Sequence, residues 1–149
     1  MVVQIYLDTC VYNRPFDDQA QPRVWLETLA FSVILQMIEN AAVVLVTSSV
    51  VAYENSRNPN KLQQQWVGKV YRLATHRQFV HDKIRERAEE LQQEGIKSLD
   101  ALHVACAEAA EVDYFITCDD RLIRRYRNLS QPQIHVCDPT EFVRARTEE

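Results

Sequence analysis

Val2-Val3-Gln4-Ile5-Tyr6-Leu7-Asp8-Thr9, at the start of the chain, and Tyr114-Phe115-Ile116-Thr117-Cys118-Asp119, far along it, decide the fold. Each is a short apolar run that stops at an aspartate. Runs of this length, rich in β-branched and aromatic residues and bounded by polar turns, predict buried strands. Val43-Val44-Leu45-Val46 is a third run of the same kind, and residues 133–137 read as a last strand. Helical stretches separate the four. Strands alternating with helices predict an α/β fold: a central parallel sheet with helices on both faces, joined by right-handed crossovers into a three-layer α/β/α sandwich. In open parallel sheets ligands sit outside the carboxyl ends of the strands. Asp8 and Asp119 end their strands there.

The helices follow from periodicity and stop signals. Residues 9–21 form a polar loop containing Asn13-Arg14-Pro15 and Asp17-Asp18, after which Pro22 suits a first helical turn. A helix to about residue 40 is expected to bury a stripe of Val24, Trp25, Leu29, Val33, Ile34, Met37 and Ile38. Ser48 and Ser49 are candidate N-caps for a short helix carrying Glu54, which Asn58-Pro59-Asn60 ends. Residues 61–75 and 82–94 read as charged outer helices, the second closed by Gly95. Ser98 suits the cap of an alanine-rich helix over 99–111, expected to be the most buried, with Leu99, Leu102, Cys106 and Ala109 on one face. A basic helix over 120–128 and a terminal one over 139–146 complete the pattern.

Composition bounds the rest. A length of 149 residues suits one domain, 1–149, and two glycines with five prolines leave little room for linkers. No apolar stretch approaches the roughly 20 residues of a membrane span, and Met1 leads into a strand without a basic leader, so the cytoplasm is the expected compartment. Cys10, Cys106, Cys118 and Cys137 stand singly, mostly inside apolar runs, which points to reduced thiols. A zinc site from Cys10, Cys118, Cys137 and His135 lacks any paired ligand spacing. The net charge of −4 argues superficially against a polyanionic partner. Two divalent cations on an acidic cluster would cancel it and leave clustered arginines to set the local field.

Four acidic residues, Asp8, Glu54, Asp100 and Asp119, each stand at the end of a hydrophobic run or near the start of a helix, so an α/β chain gathers them at one end of its sheet. Carboxylates brought together in a partly dry crevice repel one another and need a cation to hold them. Hard oxygen donors favour Mg²⁺ or Mn²⁺. The strings Leu7-Asp8-Thr9, Ser49 with Glu54, Asp100-Ala101-Leu102-His103-Val104-Ala105 and Thr117-Cys118-Asp119, taken in order, resemble the PIN-domain family of metal-dependent ribonucleases, which includes VapC-type toxins. The resemblance covers nearly the whole chain and implies an acidic metal pocket of Asp8, Glu54, Asp100 and Asp119, with Thr9 and Thr117 as supporting hydroxyls. It also implies RNA cleavage by a metal-activated water, leaving a 5′-phosphate and a 3′-hydroxyl. A toxin role would bring an antitoxin protein as partner, and related domains commonly form homodimers. The longer 9–21 loop and Cys10 depart from many toxin relatives.

For RNA contact, Arg121, Arg124, Arg125 and Arg127 follow Asp119 on one helix, with Tyr126 among them, and Arg14 in the long loop is a further candidate. His103 lies one helical step from Asp100; a packed histidine with a backbone or carboxylate partner is its plainer role. A haloacid-dehalogenase-type phosphatase needs a second aspartate where Cys10 stands. A receiver domain needs an acidic pair after its first strand that is missing here. The alternative of another class is a catalytically silent PIN-like module that binds RNA or protein.

Overall fold

The computed structural model describes residues 2–147. Among them, five strands form one all-parallel sheet: β1 (Val3–Leu7), β2 (Val43–Ser48), β3 (His76–Gln78), β4 (Tyr114–Ile116) and β5 (His135–Cys137). Eight α-helices flank it: α1 (Thr9–Asn13), α2 (Pro22–Glu39), α3 (Ser49–Ser56), α4 (Lys61–Tyr71), α5 (Asp82–Gln93), α6 (Ser98–Ala109), α7 (Asp120–Arg127) and α8 (Pro139–Thr147). The expected α/β architecture with a central parallel sheet is present.

The strand order β3-β2-β1-β4-β5 makes β1 central. The chain builds outward from β1 to β3, then returns to lay β4 on the other side of β1. The gap between β1 and β4 is therefore the switch point of the topology, where a parallel sheet opens a crevice beyond its carboxyl edge. Pairing of Leu7 with Ile116, extended by the Asp8 amide to the Ile116 carbonyl (2.9 Å), fixes Asp8 beside Thr117. Ile5, Tyr6 and Leu7 are fully buried, as a central strand covered on both faces requires.

Four expectations need correction. The 9–21 segment is not a loop throughout: Asp8 caps α1, which buries Val11 and Tyr12, and a 3-10 turn follows over Arg14–Phe16. Helix α2 turns inward Val24, Glu27, Ala30, Phe31 and Ile34, whereas Trp25, Leu29 and Val33 lie at 52%, 45% and 40% exposure. The helix is apolar on more than one side, so its hydrophobic pattern does not single out the inner face. Helix α4 ends at Tyr71 because the chain must reach the sheet: the Thr75 amide bonds the Leu45 carbonyl and leads into the short edge strand β3. In α6, the helix begins at Ser98 after an N-cap at Lys97; burial encircles residues 103–108, while Leu99 and Ala109 are exposed.

All four cysteines are free, with Cys106, Cys118 and Cys137 buried. No helix among the described residues is long and apolar enough to cross a membrane. Gly95, at the end of α5, has φ +94°, a backbone conformation that favours glycine, and the Arg125 guanidinium occupies the space a Cβ would take.

A charged network fastens the early part of the chain. Arg14 donates to Glu27 Oε1 (3.0 and 2.8 Å) and to Asp17 (3.0 Å). Arg23, 3.5 Å from Glu27 Oε2, reaches across to Asp120 of α7 (2.7 Å). Glu27 is buried between these two arginines. Removing it leaves Arg14 and Arg23 only their more exposed partners, Asp17 and Asp120, and losing the buried member of such a network costs more than the pair itself contributes. Glu27→Ala is expected to lower stability by about 3 kcal/mol in urea unfolding; a loss below half that figure would assign the network to the solvent-exposed surface.

Candidate functional site

Asp8 is the buried anchor of the crevice. It ends β1 and caps α1, Oδ1 accepting from the Thr9 amide (2.8 Å) and Oδ2 from the Thr117 hydroxyl (2.8 Å). Thr117 follows β4, so its bond to Asp8 ties the two central strands at their carboxyl ends. The Cys10 thiol faces Asp8 Oδ2 (3.6 Å) and Thr117 Oγ1 (3.5 Å), and its Sγ accepts from the Cys118 amide (3.2 Å). Contact with Cys118, burial and the Asp8 charge push its pKa well above the ordinary thiol value, which suits a packing role.

Glu54 enters from α3, whose first turn is capped by Ser48 Oγ accepting from the Val50 and Val51 amides. Glu54 Oε1 accepts from the Thr9 hydroxyl (2.8 Å) and is in close contact with His103 Nε2. Burial raises the Glu54 pKa, but the hydrogen bond and charge of His103 outweigh it and hold the carboxylate below its usual range. His103 is lowered by burial and raised by Glu54, Asp8 and Asp100, with a net upward shift.

Asp100 projects from the first turn of α6, and Asp119 caps α7, its Oδ1 accepting from the Arg121 (2.9 Å) and Leu122 (3.2 Å) amides. Asp100 is half-buried and its pKa rises to about 6: burial contributes most, then the charges of Asp8 and Asp119, with Glu54 adding and His103 opposing. The other three sequence-expected carboxylates thus all act on Asp100. Asp8, Glu54 and His103 have side-chain polar atoms that all lie within 4.8 Å of one another, close enough for one ion to reach both carboxylates. Three carboxylates raising the pKa of a fourth are a site short of positive charge. A divalent cation fits that donor set.

The basic candidates divide. Arg121 and Arg125 line a small cleft with Lys97, Asp100 and Asp119, at the edge of the acidic group. Arg124 faces solvent on the same helix, near Asp120. Arg14 is engaged by Glu27 and Asp17, which gives it a fastening role in the fold.

The family model of the PIN domain matches residues 5–128. The chain belongs to the PIN-domain family. That span covers all four carboxylates and both threonines. A solved structure titled "Crystal structure of PAE2754 from Pyrobaculum aerophilum" superposes with a TM-score of 0.54 at 14% identity, covering 99% of this chain and 98% of that one, a likeness of fold. No curated protein matches. PIN domains are in general nucleases that use divalent metals, and this chain carries an acidic group beyond the carboxyl ends of β1 and β4.

Sequence reasoning missed how far His103 is drawn into the site. Its spacing from Asp100 places it on the right face, but its contact with Glu54 depends on α3 and α6 meeting across the sheet edge.

Because the folded pKa of Asp100 lies above the ordinary 3.8, folding favours its protonated form. Its contribution is fully present below about pH 4 and is lost as pH rises toward about 6. In EDTA, the stability of Asp100→Asn relative to the native protein is therefore expected to grow between those pH values and level off above. Urea midpoints for both proteins across that range check this; a difference that is flat or shrinks with rising pH would contradict the crowding.

Proposed function

We propose that this PIN-domain chain is an endoribonuclease dependent on Mg²⁺ or Mn²⁺, in which Asp8, Glu54, Asp100 and Asp119 hold the metal. The observation that carries this is the gathering of the four carboxylates at the sheet's switch point, where Asp8, Asp119 and Glu54 add to the burial that raises the pKa of Asp100, a charge a cation would offset. When bound, the ion supplies a Lewis acid for the phosphodiester and a water of lowered pKa. The chain's own residues do the positioning. Thr117 and Thr9 fix Asp8 and Glu54 through their hydroxyls, and the buried floor of β1 and β4 keeps the carboxylates from relaxing apart.

Arg121 and Arg125, beside Asp100 and Asp119, are assigned to substrate phosphates, with Arg124 exposed between them on the same helix. An RNA backbone crossing the carboxyl edge would meet this basic helix next to the acidic pocket, which the net charge of −4 does not forbid. The same proposal takes residues 1–149 as one unit, supported by a single sheet with one continuous core, and puts it in the cytoplasm with reduced thiols. A toxin role opposite an antitoxin, and homodimerisation, extend it; the exposed Trp25, Leu26, Leu29 and Val33 on α2 are the surface feature that supports a protein partner.

Cleavage of single-stranded or loop RNA by the purified chain is expected with Mg²⁺ or Mn²⁺ and lost in EDTA or in Asp8→Asn. Cleavage that survives both, with contaminating nuclease excluded, would refute the metal mechanism; RNA binding with no cleavage under any metal would favour a silent binding module. Replacing Arg121, Arg124 and Arg125 together by Ala is expected to flatten the dependence of log K on log salt by about one unit for each arginine that neutralises a phosphate. An unchanged slope would return α7 to solvent.

A further inference from the structure

His103 is almost fully buried, yet both of its ring nitrogens are engaged. Nδ1 meets the Tyr6 hydroxyl at 2.7 Å, and Nε2 meets Glu54 Oε1. The Tyr6 hydroxyl in turn lies 2.5 Å from Ser48 Oγ. Ser48 is the cap of α3, the helix that bears Glu54. A closed circuit results: from the start of α3 to β1 through Tyr6, across to α6 through His103, and back to α3 at Glu54.

The direction of the protons follows from what Nε2 faces. Around it are the carboxylates of Glu54 and Asp8 (3.7 Å) and the Thr9 hydroxyl (3.5 Å), which itself donates to Glu54. A lone pair aimed at that group would be repelled, so Nε2 carries a proton and donates it. In the neutral ring Nδ1 then accepts from Tyr6, and Tyr6 accepts from Ser48, so every buried polar atom of the circuit has a partner. With its proton on Nε2, the histidine has no free lone pair for an ion.

We infer that His103 is a positioning residue that sets Glu54 for the metal, and that Tyr6 and Ser48 hold the His103 ring where its Nε2–H reaches Glu54. This role rests on the metal site proposed above. A glutamate side chain has three rotatable bonds, and a free one at a crevice edge would present its carboxylate in many places. Here Oε1 receives both Thr9 and His103, which leaves Oε2 as the oxygen for the ion. The circuit runs through the core, where Tyr6 also stacks on Phe115 with ring centres 5.3 Å apart. That rigidity is transmitted to Glu54.

The test is an electron-paramagnetic titration of the metal-free full chain with Mn²⁺ alone, which reads binding without turnover. His103→Leu is expected to weaken Mn²⁺ binding by about 10–100-fold, the usual loss when a ligand's supporting partner is removed. His103→Gln, whose amide N–H can stand in for Nε2–H, is expected to recover most of it. Tyr6→Phe keeps the stacked ring and loses only the hydroxyl, and is expected to weaken binding in the same direction while melting in EDTA close to the native protein. Should His103→Leu fail to fold, Tyr6→Phe and His103→Gln carry the test. Native-like Mn²⁺ affinity in His103→Leu, or in Tyr6→Phe if that variant stands alone, would overturn the assignment. So would a nitrogen coupling on bound Mn²⁺ that vanishes in His103→Gln, since it would make the ring a ligand. A native protein that takes up no Mn²⁺ would instead contradict the metal role itself.

Discussion

Like-charge repulsion at the carboxyl edge of β1 and β4 is the constraint on which the rest of this molecule depends. Two carboxylates about 5 Å apart at an effective dielectric near 20 repel by up to roughly 3 kcal/mol, before solvent and protonation reduce it. The fold creates that cost by its strand order, which puts Asp8 and Asp119 on adjacent strand ends and brings α3 and α6 in from either side. The upward shift of Asp100 registers it. A chain built for stability alone would spread these groups into water.

What keeps the carboxylates in place is a second layer of donors. Thr117 holds Asp8, Thr9 and His103 hold Glu54, and the first amides of α7 hold Asp119. Each donor stabilises the charged form of its acceptor and fixes its direction, and the charge of His103 offsets only part of the repulsion at Asp100. Farther out, the arginines are divided between two tasks. Arg14 and Arg23 are committed to Glu27 and Asp120 and fasten α2 to its neighbours, whereas Arg121 and Arg125 stand at the crevice. Sequence proximity to Asp119 does not by itself separate the two, since Arg127, on the same helix, donates to the Val136 carbonyl and to Glu141 and so holds the fold.

Much of this is legible in the chain because the decisive residues sit at boundaries. Asp8 and Asp119 end apolar runs, and such ends are visible in one dimension. Glu54 and Asp100 become readable only together with their neighbours, as parts of PIN-like strings. The strand β3 is not legible, since His76-Arg77-Gln78 is a polar edge segment recognisable only by its pairing with β2. Helix α1 is hidden by its five-residue length, and the inner face of α2 by a composition apolar enough to suggest two such faces. The Ser48-Tyr6-His103-Glu54 circuit joins positions up to 97 residues apart, and no local pattern reports such contacts.

The proposed metal would offset the cost at which the acidic group is held, and Asp119→Asn isolates that cost. Asparagine caps a helix about as well as aspartate, so this substitution keeps the hydrogen bonds to α7 and deletes the charge. The measurement is the thermal melt of native and Asp119→Asn protein, each in EDTA and in Mn²⁺. The variant is expected to melt higher than the native protein in EDTA, and Mn²⁺ to raise the native melting temperature more than the variant's. A variant that melts lower in EDTA and responds to Mn²⁺ as the native protein does would contradict a metal-relieved cluster.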